Sequence, residues 1–295
     1  MAAERETDRP DLPGTAHPAP ASLTTVSPAT VSPAAGAAAG WDRLRPHTPA
    51  RIGLARSGPA VATSAHLAFQ LAHARARDAV HDPLDRDRLA GDLEPALAPR
   101  GLGLLAAESR AGERATYLTR PDLGRRLSEE AEARLAAAAP ADGADAALVV
   151  VDGLSARAVQ VQVPPLLTAL LERLDAADPP WRLAPTVIVA EGRVAVGDAV
   201  AAALGAAMAV VLIGERPGLS SPDSLGVYLT VRPRPGRTTD AERNCLSNIR
   251  PEGMPPAEAA RRLAWLMAEA RRRGTSGIGL KDGSDRPSLP APNLS

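Results

Sequence analysis

Three short strings place acidic residues and glycine directly after apolar runs: Asp152-Gly153, Glu191-Gly192-Arg193-Val194 and Gly214-Glu215-Arg216-Pro217-Gly218. A carboxylate in such a turn accepts hydrogen bonds from the amide or hydroxyl groups of a ligand, and glycine lets a ligand approach the backbone closely. Taken singly, each residue has a plainer alternative. Glu215 is a solvated loop carboxylate or such an acceptor. Val194 is core packing or an apolar contact. Asp152 caps the next helix or binds a ligand. Cys245, the single cysteine, is a small buried residue or a contact. One cysteine makes no internal disulfide, and a thiolate zinc site lacks its other ligands. The histidines are His17, His47, His66, His73 and His81. The C-terminal two-thirds of the chain therefore has no His-based metal site or Ser-His triad of its own. No Gly-x-Gly-x-x-Gly joins a strand to a helix in this region, and no Gly-Lys pair exists for a Walker A loop. Ordinary dinucleotide or ATP binding has no fingerprint here.

The elements that must position these turns read as strand, helix, strand, helix, strand. Apolar runs lie at 148–151, Thr186–Ala190 and Ala209–Ile213, and Gly226–Val231 adds a fourth. Runs apolar on both faces, alternating with helices, predict an α/β domain with a parallel, Rossmann-like sheet flanked by helices over residues 141–282. Ser155 is placed to cap a short helix, Pro164-Pro165 opens a second to about Leu174, and Asp198 precedes a third that ends at Gly205. Ligands of such sheets bind beyond the carboxyl ends of the strands, where the three turns lie. The segment from Arg232 to Gly253 has no long apolar run and reads as an irregular loop, a feature more often functional than decorative. Within it Thr239-Asp-Ala-Glu242 fits a capping box. Pro255-Pro256 then opens a helix through Arg273, stopped by Gly274, with Ala260, Leu263, Met267 and Ala270 inward and its arginines on a solvated face.

Residues 49–140 read as a mainly helical region. A helix is expected from Ser64 to Val80 with Leu67, Leu71, Ala74 and Val80 on one face, and another after Pro121 carrying Leu123, Leu127, Ala131 and Leu135. Residues 1–48, rich in Ala, Pro, Thr and Ser, read as a disordered tail, and 283–295 as a flexible C-terminal one. The 295 residues carry 34 Lys+Arg and 34 Asp+Glu, a formal net charge of +0. No overall field draws the chain to nucleic acid or an anionic membrane. Aromatics are only 2%, so the chain has almost no rings to offer for base stacking and the core must be Ala, Leu and Val. Lys281 is the only lysine, which makes Schiff-base chemistry an improbable theme. No apolar stretch is long enough to span a membrane, and the N-terminus lacks an apolar signal core. A cytoplasmic protein is expected.

Taken together, Gly214-Glu-Arg-Pro-Gly-Leu-Ser-Ser-Pro-Asp-Ser-Leu-Gly226 and Arg243-Asn-Cys-Leu-Ser-Asn-Ile-Arg-Pro-Glu-Gly253 closely resemble the small (light-chain) subunit of ethanolamine ammonia-lyase. So do 71–80, Tyr117 to Arg126 and Asp152-Gly-Leu-Ser155. The resemblance runs from about Arg51 to Asp282 in family order and leaves residues 1–48 outside. It implies an adenosylcobalamin-dependent lyase that converts ethanolamine to acetaldehyde and ammonia by a radical mechanism. It further implies a large subunit that holds the substrate, and a small subunit that completes the corrinoid site within a higher-order hetero-oligomer. On this resemblance the cofactor contacts fall on Val194, Glu215 and Cys245, with no catalytic residue and no metal ligand in this chain. With no histidine after residue 81, the D-x-H-x-x-G motif that replaces the lower ligand is absent, so base-on adenosylcobalamin is expected. Some family members work inside a bacterial microcompartment, but residues 1–40 carry too many prolines for an amphipathic address helix. The reading set against this one is a stand-alone α/β module for a nucleotide-like ligand.

Overall fold

The four apolar runs form strands, and two further strands flank them. A computed structural model describes residues 35–285, and the chain divides into two compact units, Met1–Ala60 and Val61–Ser295. In the first, α1 spans Ala35–Leu44 and leads into a 3-10 turn at Arg45–His47. The segment expected to be a structureless tail thus contains a helix, where a run of alanines free of proline follows the last Pro-rich stretch. The remainder of that expectation, at 1–34, lies outside the described residues, as does most of the expected C-terminal tail.

In the second unit the order is α2 (Thr63–His81), α3 (Arg86–Leu97), β1 (Leu104–Glu108), α4 (Arg114–Thr119), α5 (Glu129–Ala137), β2 (Ala147–Val151) and α6 (Ala156–Asp175). There follow β3 (Thr186–Ala190), α7 (Val196–Ala203), β4 (Met208–Gly214), β5 (Leu225–Val231), β6 (Arg243–Ile249) and α8 (Pro256–Arg273). The sheet order is β1-β3-β2-β4-β5-β6. The first four strands are parallel, with Val149 of β2 beside Val187 on one side and Val211 on the other. β5 and β6 run antiparallel. The sheet is therefore mixed, which corrects the expectation of a parallel, Rossmann-like one. The reason lies in the connections. Only Glu215–Ser224 joins β4 to β5, and only Arg232–Glu242, with one 3-10 turn, joins β5 to β6. Neither holds the crossover helix that a parallel return needs.

Helices cover the two faces unequally. α3, α6 and α8 bury one face with Leu166, Leu170, Val210, Leu229, Leu263 and Met267. α5 and α7 bury the other through Leu135, Val149, Val187, Val200 and Val211. The α6 segment is one helix rather than two. The Ser155 hydroxyl accepts from Ala158 N at 3.1 Å to cap it, and Pro164-Pro165 sits inside. An internal proline costs about 3 kcal/mol. Leu166, Leu167, Leu170, Leu171 and Leu174 are all buried, and each contributes about 1.5–3 kcal/mol, so packing overrides the break.

Other differences have similar causes. The expected helix after Pro121 is broken. Leu123–Arg125 is a 3-10 turn, Leu127 pairs with Ser109 in an isolated bridge, and Ser128 caps α5 by accepting from Ala131 N. α3 forms despite Pro95, capped by Asp85, and within the region expected to be mainly helical β1 joins the sheet edge. α2 forms where expected, but the face carrying Leu67 and Leu71 points to solvent, while Ala76 and Ala79 pack inward. The capping box at Thr239–Glu242 and the α8 stop at Gly274 are both present. Among the described residues no helix is long and apolar enough to cross a membrane.

Candidate functional site

A cleft of about 1280 Å³ opens at the carboxyl ends of the parallel strands, lined by Gly153, Arg193, Val194, Gly214, Glu215 and Tyr228 among others. The turns predicted from sequence therefore meet at one place. Two glycines bring the strand ends this close. Gly153 has φ +60°, and a Cβ there would overlap the Gly214 carbonyl oxygen; a Cβ on Gly214 would overlap the Ser155 carbonyl oxygen. Any side chain at either position would push β2 and β4 apart.

Glu215 is the first residue past β4. Its Oε2 accepts from Ser224 Oγ at 2.5 Å and from Asn248 N at 3.2 Å, which ties the β4 end to the β6 end. Its Oε1 has no hydrogen-bond partner among the described residues and lies over Gly226, where a Cβ would come within 3.0 Å of it. Tyr228 flanks Gly226 on the same side. Cys245 is directly across from Tyr228 on β6. The segment expected to be an irregular loop is thus in part an edge strand. On one face of this strand Arg243 reaches Asp198 of α7, with Cys245 on the same side, and its Leu246 and Ile249 are buried in the core cluster with α6 and α8. Cys245 is exposed as a residue. Removal of its thiol from water raises the pKa, with the Glu215 charge adding to the effect and the Tyr228 hydroxyl opposing it. Burial likewise holds the Tyr228 hydroxyl well above the usual phenol range, followed by the influence of Cys245. Both groups are protonated donors at neutral pH, next to an acceptor.

Val194 stands across the cleft, half-buried against the α5/α7 cluster. The turn that carries it is held from several sides. Asp152 Oδ2 accepts from Glu191 N at 3.0 Å, and Oδ1 accepts from Gly192 N at 3.2 Å and from Gly153 N at 2.8 Å. Ser109 Oγ donates to Glu191 O at 2.6 Å, and Arg193 N donates to Gly124 O at 2.7 Å. Glu191 itself takes φ +54° to make the turn. Asp152 thus neither caps α6, which Ser155 does, nor points a free oxygen at a ligand. It is 3% exposed, and burial first, then the neighbouring Glu191 charge, push its pKa up to about 6.

Arg114 completes this knot. Nη1 donates to Gly153 O at 2.8 Å and to Glu191 Oε2 at 3.1 Å, while Nε and Nη2 donate to Val80 O at 2.8 and 2.6 Å. The Arg114 and Arg193 guanidinium carbons lie 4.8 and 4.1 Å from the centroid of the fully buried Tyr117 ring. Beneath the other side of the cleft, Arg243 Nη1 and Nη2 donate to the two oxygens of Asp198, each at 2.7 Å, and Nη1 also reaches Thr230 Oγ1 at 2.9 Å. Among the described residues no group of His, Cys, Asp and Glu is arranged to hold a metal ion.

The structure therefore groups Glu215 with Cys245, through Tyr228, and sets Val194 opposite. Sequence reasoning missed Arg114, Tyr117, Arg193, Asp198 with Arg243, and Tyr228 as parts of the site. Their partners lie tens of residues away, and no local spacing reveals them.

Comparison with known proteins bears on what such a cleft serves. The family described as ethanolamine ammonia-lyase light chain matches residues 38–281. The ethanolamine ammonia-lyase small subunit of Azotobacter vinelandii is 55% identical over 258 residues, covering 87% of this chain and 90% of that protein. The small subunits of Xanthomonas campestris pv. campestris and Pseudomonas fluorescens strain SBW25 are 53% and 52% identical, over 84% and 82% of this chain and 90% and 86% of their own lengths.

Proposed function

The chain belongs to the ethanolamine ammonia-lyase light-chain family, and from that premise we propose that it is the subunit that completes an adenosylcobalamin site for a large catalytic partner. The observation that carries this reading is Glu215. One carboxylate oxygen is tied down by Ser224 and Asn248, and the other lies over Gly226, on the side of the cleft-lining Tyr228, with no partner among the described residues. Corrin side chains end in amides, and an amide N–H is the donor that such an oxygen accepts. Val194 offers an apolar contact on the opposite wall, and Cys245 with Tyr228 offers protonated donors beside Glu215. The residues present therefore fit a large amphiphilic cofactor with amide arms.

When bound, adenosylcobalamin supplies the radical that converts ethanolamine to acetaldehyde and ammonia. This chain's residues bind and orient one side of the group and keep water from it. The substrate site is assigned to the large subunit. With no histidine beyond His81, the α/β domain has no imidazole to replace the cofactor's own base, and the assembly would work in the cytoplasm or inside a microcompartment.

Co-expression with the large subunit tests this directly. The two chains should co-purify, bind cobalamin by absorbance titration and turn over ethanolamine, whereas this chain alone with adenosylcobalamin should not. Turnover by the single chain overturns the division of labour. A chain that ignores the large subunit yet binds a nucleotide points to a stand-alone binding module.

A further inference from the structure

The turn Glu191-Gly192-Arg193-Val194 has no regular secondary structure of its own, yet it must hold Val194 at the cleft wall. Its first two backbone N–H groups both end on one buried carboxylate. Asp152 uses both oxygens as acceptors, for Glu191 N, Gly192 N and Gly153 N, and Oδ2 also faces Arg114 Nη1 at 3.7 Å. Every hydrogen-bond partner of these oxygens is a donor. A carboxylate satisfies all of them. A neutral acid or an amide must turn an O–H or N–H toward one of those donors, and so loses one of the three bonds.

We propose that Asp152 is a positioning residue of the cobalamin site, its carboxylate fixing the turn that presents Val194 to the cofactor. This rests on the cobalamin reading above. It assigns Asp152 a role that neither helix capping nor direct ligand contact provides, and it gives the role a proton dependence. The charged and titratable groups that face Asp152 are Arg114 and Tyr117 from α4 and Glu191 from the end of β3, with Arg193 beyond Tyr117. Burial and the Glu191 charge favour the neutral form, while Arg114 and the turn amides favour the ionised one. A pKa pushed up to about 6 puts the change of state just below neutrality. As pH falls through this value the turn loses an acceptor, and the cofactor loses an ordered wall.

The test uses backbone amide hydrogen exchange on the full chain without cofactor, and cobalamin titration of the two-subunit complex. In Asp152→Asn the amides of Glu191 and Gly192 should exchange about tenfold faster or more, as expected for one lost charge-assisted hydrogen bond, while amides of α8 stay protected. Cobalamin affinity at pH 8 should fall about ten- to hundredfold, the scale typical of residues that orient metal ligands. The wild-type complex needs no substitution to show the same thing. Its affinity should weaken between pH 7 and 5, and that slope should vanish in Asp152→Asn. Unchanged exchange at Glu191 and Gly192 overturns the proposal. Faster exchange with unchanged cobalamin affinity overturns the positioning role and leaves the cobalamin reading intact. A wild-type complex that binds no cobalamin at any pH overturns the cobalamin reading itself, and with it the ligand half of this one.

Discussion

Two carboxylates are buried beneath the same cleft, and they are neutralised in opposite ways. Asp198 is 1% exposed and meets a full countercharge, the Arg243 fork, through two parallel hydrogen bonds of 2.7 Å. Asp152 is 3% exposed and meets mainly dipoles: three backbone N–H groups, with the nearest Arg114 nitrogen at 3.7 Å and shared with Glu191. Taking an ion out of water costs several kcal/mol, and only well-placed partners offset it. Asp198 with Arg243 therefore acts as a fixed tie between α7, which follows the Val194 turn, and β6, which carries Cys245. Asp152 holds an irregular turn with a charge that the interior tolerates poorly. One carboxylate joins the two walls of the site, and the other shapes one of them.

The largest expected effect breaks the tie. Asp198→Ala leaves the Arg243 guanidinium buried without its partner, and a broken buried pair costs about 3–5 kcal/mol. Urea unfolding should show this loss as a lower midpoint with little change in slope. The double variant Asp198→Leu/Arg243→Met removes both charges and should recover most of the stability, since replacing a whole buried pair is often neutral. A double variant as unstable as the single one would mean that Thr230 and Asp240, and not the pair itself, carry the energy.

The next effect sharpens the contrast from the Asp152 side. A folded-state pKa of about 6 against an ordinary 3.8 means the folded chain binds the proton more tightly than the unfolded one. The neutral form's contribution to stability is fully present below about pH 3.8 and is lost as pH rises through about 6. Two pK units correspond to about 2–3 kcal/mol. Urea unfolding of wild type and Asp152→Asn from pH 4 to 7 should show wild type losing about that much relative to the variant. A pH-independent difference would place the titration elsewhere. The ionised form thus orders the turn while it weakens the fold, the trade that functional sites commonly make.

Much of this site could be read from the sequence because its turns follow strands buried on both faces. Val149, Val187 and Val211 lie in continuous apolar runs, and the Gly and acidic residues after them mark the edge where the cleft opens. α8 was equally plain, since Ala260, Leu263, Met267 and Ala270 keep helical period and Gly274 ends it. The edges of the sheet were not plain. β1 is a five-residue run, Leu104-Leu-Ala-Ala-Glu108, whose alanines suit a helix as well as a strand, and β6 mixes buried Arg243, Leu246 and Ile249 with exposed Cys245, Ser247 and Asn248, so it makes no apolar run. The direction of β5 depended on connection length rather than on the strand itself. α3 was hidden by Gly91 and Pro95, whose cost is offset by buried Leu89, Leu93 and Leu97. The charge ties Asp152–Arg114 and Asp198–Arg243 join residues far apart in the chain, and only the folded sheet brings them together.

The smallest expected effect tests whether the cleft holds a third kind of carboxylate. Glu215 is half-buried at the rim rather than beneath it. Its Oε2 is used as Asp152 uses both of its oxygens, tied to Ser224 and the Asn248 backbone, but Oε1 lies over Gly226 on the side of Tyr228 with no partner among the described residues. Glu215→Gln keeps the shape and one carbonyl oxygen but loses the charge. If the amide turns its oxygen toward Ser224 and Asn248, its NH2 faces the ligand, where a donor meets a donor. If it turns the other way, the internal tie is lost. Either orientation weakens one of the two bonds. A bond to a charged acceptor at a partly solvated rim is worth about 1.5 kcal/mol, so cobalamin affinity of the two-subunit complex should fall roughly tenfold. Circular dichroism and the urea midpoint should barely move, in contrast to Asp198→Ala. A large loss of stability would make Glu215 a tie like Asp198, and unchanged affinity would make it a rim carboxylate with no ligand. A tenfold loss confined to cobalamin binding separates the three carboxylates by role: one joins the walls, one shapes a turn, and one meets the cofactor.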